Sequence, residues 1–187
     1  MTKSTATTMK YFLPLFFLFI ASGAAGQVVK NTSYTTRTGE RVLRLELVLP
    51  VTQKEAWDVF TTDNQLKKWI APLAHIELRT GGYIMTNYDK TKSLDDSSSI
   101  RLDITSYLEQ ELITFKVKLN DNFSKKVQGE DKNLQEIIQF ENAGAGKTKV
   151  TSSMIGWGEG EDWKKVYDFF VRGNIYTYEE LLKLYIR

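Results

Sequence analysis

His75, the only histidine in this 187-residue chain, stands two residues before Glu77 in a stretch that reads as a strand, so both side chains share a face. A histidine–carboxylate couple is the minimum for general base chemistry. On an outer strand face, the same couple is an ordinary solvated pair. Asp95 and Asp96 sit together in a polar loop. Glu159, Glu161 and Asp162 gather at a helix start, where acids favour the dipole. Such groups could hold a hard cation, and loop or cap solvation accounts for them equally well. Gly144-Ala145-Gly146-Lys147-Thr148 ends like a phosphate-binding loop. It lacks the first glycine at the required spacing, and a strand rather than a helix follows, so it reads as a hairpin turn. The chain has no cysteine, which removes disulfides, thiolate metal sites and thiol nucleophiles. The inventory points to no catalytic set, no metal site and no cofactor.

A second constellation is aromatic. Trp57, Trp69, Trp157 and Trp163 converge with Tyr83, Tyr167 and Phe170 if a long C-terminal helix lies in the hollow of a sheet. Such a set serves as core, but in that arrangement core and cavity are the same place. Asn174 lies one turn beyond Phe170 on the helix stripe and next to Gly173. A helical glycine costs about 1 kcal/mol relative to alanine, and a buried amide needs partners. Close helix–sheet approach explains the pair structurally; room for a ligand and a polar hook explains it functionally. The expected ligand-facing residues are Trp69, Tyr83, Phe115, Trp163, Tyr167, Phe170 and Asn174.

Periodicity supplies the elements that would position them. Arg41–Pro50 alternates, with Leu43, Leu45, Leu47 and Leu49 on one face. Thr52 and Glu55 form a capping box for a short helix bearing Ala56, Val59 and Phe60. Asp63 caps a second helix with Leu66, Trp69 and Ile70, closed by Pro72. Strands are expected over 74–78, 83–88, 100–107, 112–119, 135–141 and 147–157. Glycines make the turns at 79–82 and 142–146. In the strand 112–119, Ile113, Phe115, Val117 and Leu119 should face inward, with Lys116 and Lys118 outside. Residues 89–99 and 120–133 read as long polar loops or extended hairpin tips. From about Glu161 to Tyr185, Trp163, Val166, Tyr167, Phe170, Tyr178, Leu181, Leu182 and Tyr185 form a helical stripe about 38 Å long.

The first 26 residues read as an address. Lys10, an apolar run over 11–20 and the small residues 21–26 define a secretory signal peptide. Cleavage after Gly26 leaves Gln27 first, and cleavage after Ala25 is nearly as good. The run is short for the roughly 20 apolar residues of a membrane span, so no membrane anchor is expected after cleavage; an uncleaved signal anchor is the alternative. Residues 27–40 are then an N-terminal extension and 41–187 the folded domain. Export without cysteine fits a bacterial periplasm or exterior. The net charge of +2 comes from Lys3 and Lys10 in that leader; the remainder balances 23 basic against 23 acidic residues. A neutral domain has no global attraction for nucleic acid.

Ala56-Trp57 with Phe60, Leu66-Lys67-Lys68-Trp69 with Pro72, and Arg79-Thr80-Gly81-Gly82-Tyr83 follow one another in a familiar order. Ile104–Tyr107 with Ile113–Phe115, Gly156-Trp157-Gly158 with Trp163, Tyr167–Phe170 and Leu181-Leu182 continue it. The pattern resembles the START/SRPBCC helix-grip superfamily over about 41–186. Its nearest branch is the one named for the C-terminal domain of the activator of the heat-shock-protein-ninety ATPase. The resemblance implies an α+β fold with a curved antiparallel sheet wrapped around a long C-terminal helix, and two short helices after the first strand. Superfamily members include lipid and hormone carriers, cyclases, stress proteins and co-chaperone domains, and fold does not choose among them. The leading expectation is non-catalytic binding of a small, largely apolar molecule between sheet and helix. A protein-interaction or chaperone-assisting module using the sheet's outer face is the alternative, and a cyclase or hydrolase in the same cavity a third. A void lined by aromatics favours the first, and a filled core with an exposed apolar patch the second. Buried ionisable groups meeting in the void favour the third.

Overall fold

The structure, a computed structural model, describes residues 28–186; the expected leader lies outside that range. Two short strands, β1 (Lys30–Asn31) and β2 (Tyr34–Thr35), pair with β3 (Arg41–Leu49). The segment read as an extension therefore adds to the sheet. In β3 the four leucines are buried on one face, each contributing about 1.5–3 kcal/mol, while Arg44, Glu46 and Val48 face out.

Pro50 breaks the strand, and the chain enters α1 (Gln53–Thr61). Both halves of its capping box form, with Glu55 N–H donating to Thr52 and Thr52 N–H donating to Glu55. In α2 (Asp63–Trp69) the cap differs from expectation. Thr62 occupies the N-cap position without a side-chain bond, and Asp63 instead reaches across to the sheet. One carboxylate oxygen accepts the Ile76 N–H and the other meets His75 Nδ1, both at 2.8 Å.

The chain then runs through β4 (Leu73–Glu77), β5 (Tyr83–Asn87), β6 (Ile100–Leu108) and β7 (Leu112–Val117). The β4–β5 turn needs glycine at position 82, where a Cβ would lie 2.0 Å from the Glu77 carbonyl oxygen. A short helix, α3 (Lys125–Glu130), capped by Ser124, occupies part of the expected loop. Strands β8 (Gln135–Asn142) and β9 (Thr148–Ile155) form the last hairpin before α4 (Glu161–Lys183). All pairings are antiparallel, in the order β1-β3-β9-β8-β7-β6-β5-β4. Helix α4 packs against β3 and α2, so the curved sheet grips it. The expected helix-grip architecture is the one observed.

The inward side of β7 holds Ile113, Phe115 and Val117, all buried. Leu119 lies beyond the strand's end and is half-buried. Lys116 is not free in solvent as expected. It is half-buried, and its ammonium bonds Asp131 at 2.8 Å. Among the described residues no helix is long and apolar enough to cross a membrane.

Candidate functional site

Sheet curvature leaves a cavity of about 340 Å³ between β5–β8 and the middle of α4. Its floor is the inner side of four strands, which contribute Ile84 and Thr86, Ile100 and Leu102, Phe115 and Val117, and Glu136 and Ile138. Phe60 and the α2 residues Leu66, Trp69 and Ile70 close one end. The roof is α4 from Phe169 to Tyr178, with Phe123 reaching up from the loop before α3. Phe123 lies parallel to Phe170 with ring centres 5.8 Å apart. Tyr88, Phe169 and Tyr176 stand exposed at the edge of this space.

Four of the seven expected residues line the cavity. Trp69 stacks on Tyr178 at 6.0 Å and donates its indole N–H to the Val59 carbonyl. Phe115 and Phe170 form floor and roof. Asn174 faces the sheet, and its amide lies 3.3 Å from Met154 Sδ. Gly173 beside it has open space where a Cβ would stand.

The other three lie elsewhere. Tyr83 falls out of phase with the inward Ile84, so its ring turns to the opposite face, under the Arg101 guanidinium at 3.9 Å and beside His75. Trp163 is fully buried near the start of α4, against Gly158, and donates to Glu130 at 2.9 Å. Tyr167 packs on Trp157, with Arg41 over its ring.

Glu136 is the polar residue that sequence reasoning passed over. It lies in an inward-facing row across the sheet, Ile104–Phe115–Glu136–Met154–Leu43. It is 9% exposed. Ser152 Oγ donates to Oε1 at 2.7 Å and Tyr178 OH donates to the same oxygen at 3.1 Å. Burial pushes the Glu136 carboxyl above its ordinary value, partly offset by those two donors. Burial, and then the adjacent Glu136 charge, hold the Tyr178 hydroxyl well above its ordinary range, so it keeps its proton and donates. The signal was available. In β8, Glu136 is in phase with Ile138 and Phe140, a carboxyl on the apolar side of an alternating strand.

The remaining candidates for chemistry disperse. His75 bonds Asp63 rather than Glu77, and Glu77 pairs with Arg79. Burial works to raise Asp63, but the bonds from His75 and Ile76 outweigh it and hold its carboxyl below the usual range. Asp96 is held near 2 by Ser98 and Lys92 within its own loop, and Asp162 pairs with Lys126. Among the described residues no group of three or more acidic or histidine side chains could hold a metal. The arrangement is a largely apolar chamber with one hydrogen-bonded carboxyl in its floor and the polar side chains of Lys118, Asn120, Asn122 and Asn174 at its wall, Lys118 being paired with Asp103.

Residues 50–186 match the family model described as Activator of Hsp90 ATPase homolog 1-like protein. No curated protein sequence matches the chain significantly. Among solved structures, a protein from Enterococcus faecalis, EF2215, superposes with TM-score 0.60 at 13% identity, covering 83% of this chain and 76% of that one. Ms6760 from Mycobacterium smegmatis gives 0.59 at 17%, with 83% and 96% covered. The Aha1 dimer from Colwellia psychrerythraea gives 0.56 at 17%, with 76% and 92% covered. At these identities the likeness is one of fold.

Proposed function

The chain belongs to the family of Activator of Hsp90 ATPase homolog 1-like proteins, and on that premise we propose that it is a non-catalytic binding protein for a small, largely apolar molecule. The cavity between sheet and α4 is the observation that carries this reading. At about 340 Å³ it falls within the roughly 300–1,000 Å³ of small-molecule sites. Its walls are mainly Phe, Ile, Leu, Val and Trp side chains, with a few polar groups that could fix orientation. A chaperone-assisting role on the sheet's outer face has less support. There Arg44, Glu46, Lys149 and Glu141 form a charged network across β3, β9 and β8 rather than an apolar patch.

Catalysis is not part of the proposal. Ser152 and Tyr178 both direct their protons to one oxygen of Glu136, and His75 lies outside the cavity on β4. Buried ionisable groups do meet in the cavity wall, but they bond one another rather than standing apart as a separate acid and base.

The leader pattern around Lys10 supports export to a periplasm or exterior as part of the same proposal. N-terminal sequencing of secreted or envelope fractions should find a start at or next to Gln27. An intact leader on cytosolic protein would count against it. For binding itself, native mass spectrometry of protein purified without detergent should show a bound mass that denaturation removes. No adduct, together with no binding across a panel of lipids and aromatic metabolites, would defeat the reading.

A further inference from the structure

We propose that Glu136 is the polar anchor of the cavity, and that the ligand is an apolar molecule bearing a hydrogen-bond donor, a hydroxyl or an amine, at the end that enters first. The inference deepens the binding role proposed above and rests on it. In the inward row across the sheet, the four residues other than Glu136 are Ile, Phe, Met and Leu. A carboxyl buried among them is costly unless its oxygens are bonded. Both recorded bonds, from Ser152 and Tyr178, go to Oε1. Oε2 has no partner among the described residues, and Glu136 lines the cavity.

Tethering Tyr178 to the sheet requires one acceptor, which a neutral glutamine would supply. The second oxygen is thus surplus to the fold's needs and is a free acceptor at the wall of a largely apolar chamber. A ligand donor meets it. An ether leaves it unmet, and a ligand carboxylate sets acceptor against acceptor. Leaving a buried partner unpaired is how a polar site rejects the wrong apolar molecule.

The test is calorimetric titration of the mature protein at neutral pH with four probes of similar size: 1-octanol, octylamine, 1-methoxyheptane and octanoate. The expected order places the alcohol and the amine about tenfold tighter than the ether, with octanoate weakest. Glu136→Gln keeps an acceptor for Ser152 and Tyr178 but turns an amide N–H₂ into the cavity. In that variant octylamine should lose about tenfold and octanoate should gain, with circular dichroism reporting the fold. If the variant does not fold, the wild-type order alone decides. Four equal affinities would overturn the anchor while leaving the binding role intact. Octanoate binding as tightly as 1-octanol would overturn it as well. Failure of every probe to bind wild type would overturn the anchor, and the binding role as well if native mass spectrometry shows no adduct.

Discussion

Helix α4 is packed at its two ends and loose in its middle. Trp163 and Val166 near its start, and Tyr178, Leu181 and Leu182 near its end, are buried. From Tyr167 to Thr177 no residue of the helix is buried, although Tyr167, Phe170 and Asn174 continue the same stripe. Periodicity alone would bury all of them equally. The difference teaches that the two ends anchor the helix, while its middle spans a hollow that the sheet does not fill. Stability should therefore reside at the ends and recognition in the middle.

The largest test of that division compares aromatic truncations. Trp163→Ala should cost about 3–5 kcal/mol, and Phe170→Ala less than half as much, measured as denaturant midpoints at equal slope. Similar losses would erase the distinction between ends and middle. On the floor, Phe115→Ala should cost about 3 kcal/mol, the lower end for a buried Phe, because one side already faces open space. Lys116→Ala should cost about 1 kcal/mol, since it strips the cation from Asp131, whose side chain is only 7% exposed and keeps just the Leu134 N–H. A null effect there would mean that the ion pair contributes nothing to holding α3 against β7. Gly173→Ala should act in the opposite direction, stabilising by up to about 1 kcal/mol, because its Cβ meets no neighbour. Destabilisation would indicate a roof in contact with the floor.

The smallest effect is a pH dependence. Burial raises the folded-state pKa of Glu136 above its ordinary value of 4.5, so the folded protein holds that proton more tightly than the unfolded chain. The resulting contribution is whole below the unfolded value and is lost as pH rises through the folded one. The difference in Tm, wild type minus Glu136→Gln, should therefore be greatest below about pH 4.5 and fall as pH rises above it. A difference that rises with pH would mean that the two donors outweigh burial.

Much of this fold was legible because its signals are local. The β3 leucines, the Thr52–Glu55 box and the α4 helix each depend on residues a few positions apart, and all formed as read; only the burial of the α4 stripe departs, in its middle. The site was half legible. Trp69, Phe115, Phe170 and Asn174 reached the cavity because their phase on a strand or helix set their direction. Tyr83 failed on phase, being one residue from the inward Ile84. Trp163 and Tyr167 failed because a stripe shows which face turns inward but not where along the helix the sheet recedes. Asp63 misled by its identity: a helix-start aspartate usually caps, and here a strand twelve residues on competes for the same carboxylate. Ser152 and Tyr178 converge on Glu136 only through cross-strand register and helix docking, which no local pattern encodes.

The central claim is that the space under the middle of α4 is a binding site rather than a packing defect. Gly173→Leu tests it most directly, since its side chain would grow into the open space over the floor while adding a better helix former. Titration of 1-octanol into wild type and variant, with thermal melts of both, gives the answer. The account predicts a folded variant of equal or higher Tm that no longer binds a ligand wild type takes up. Undiminished binding in the folded variant would contradict it.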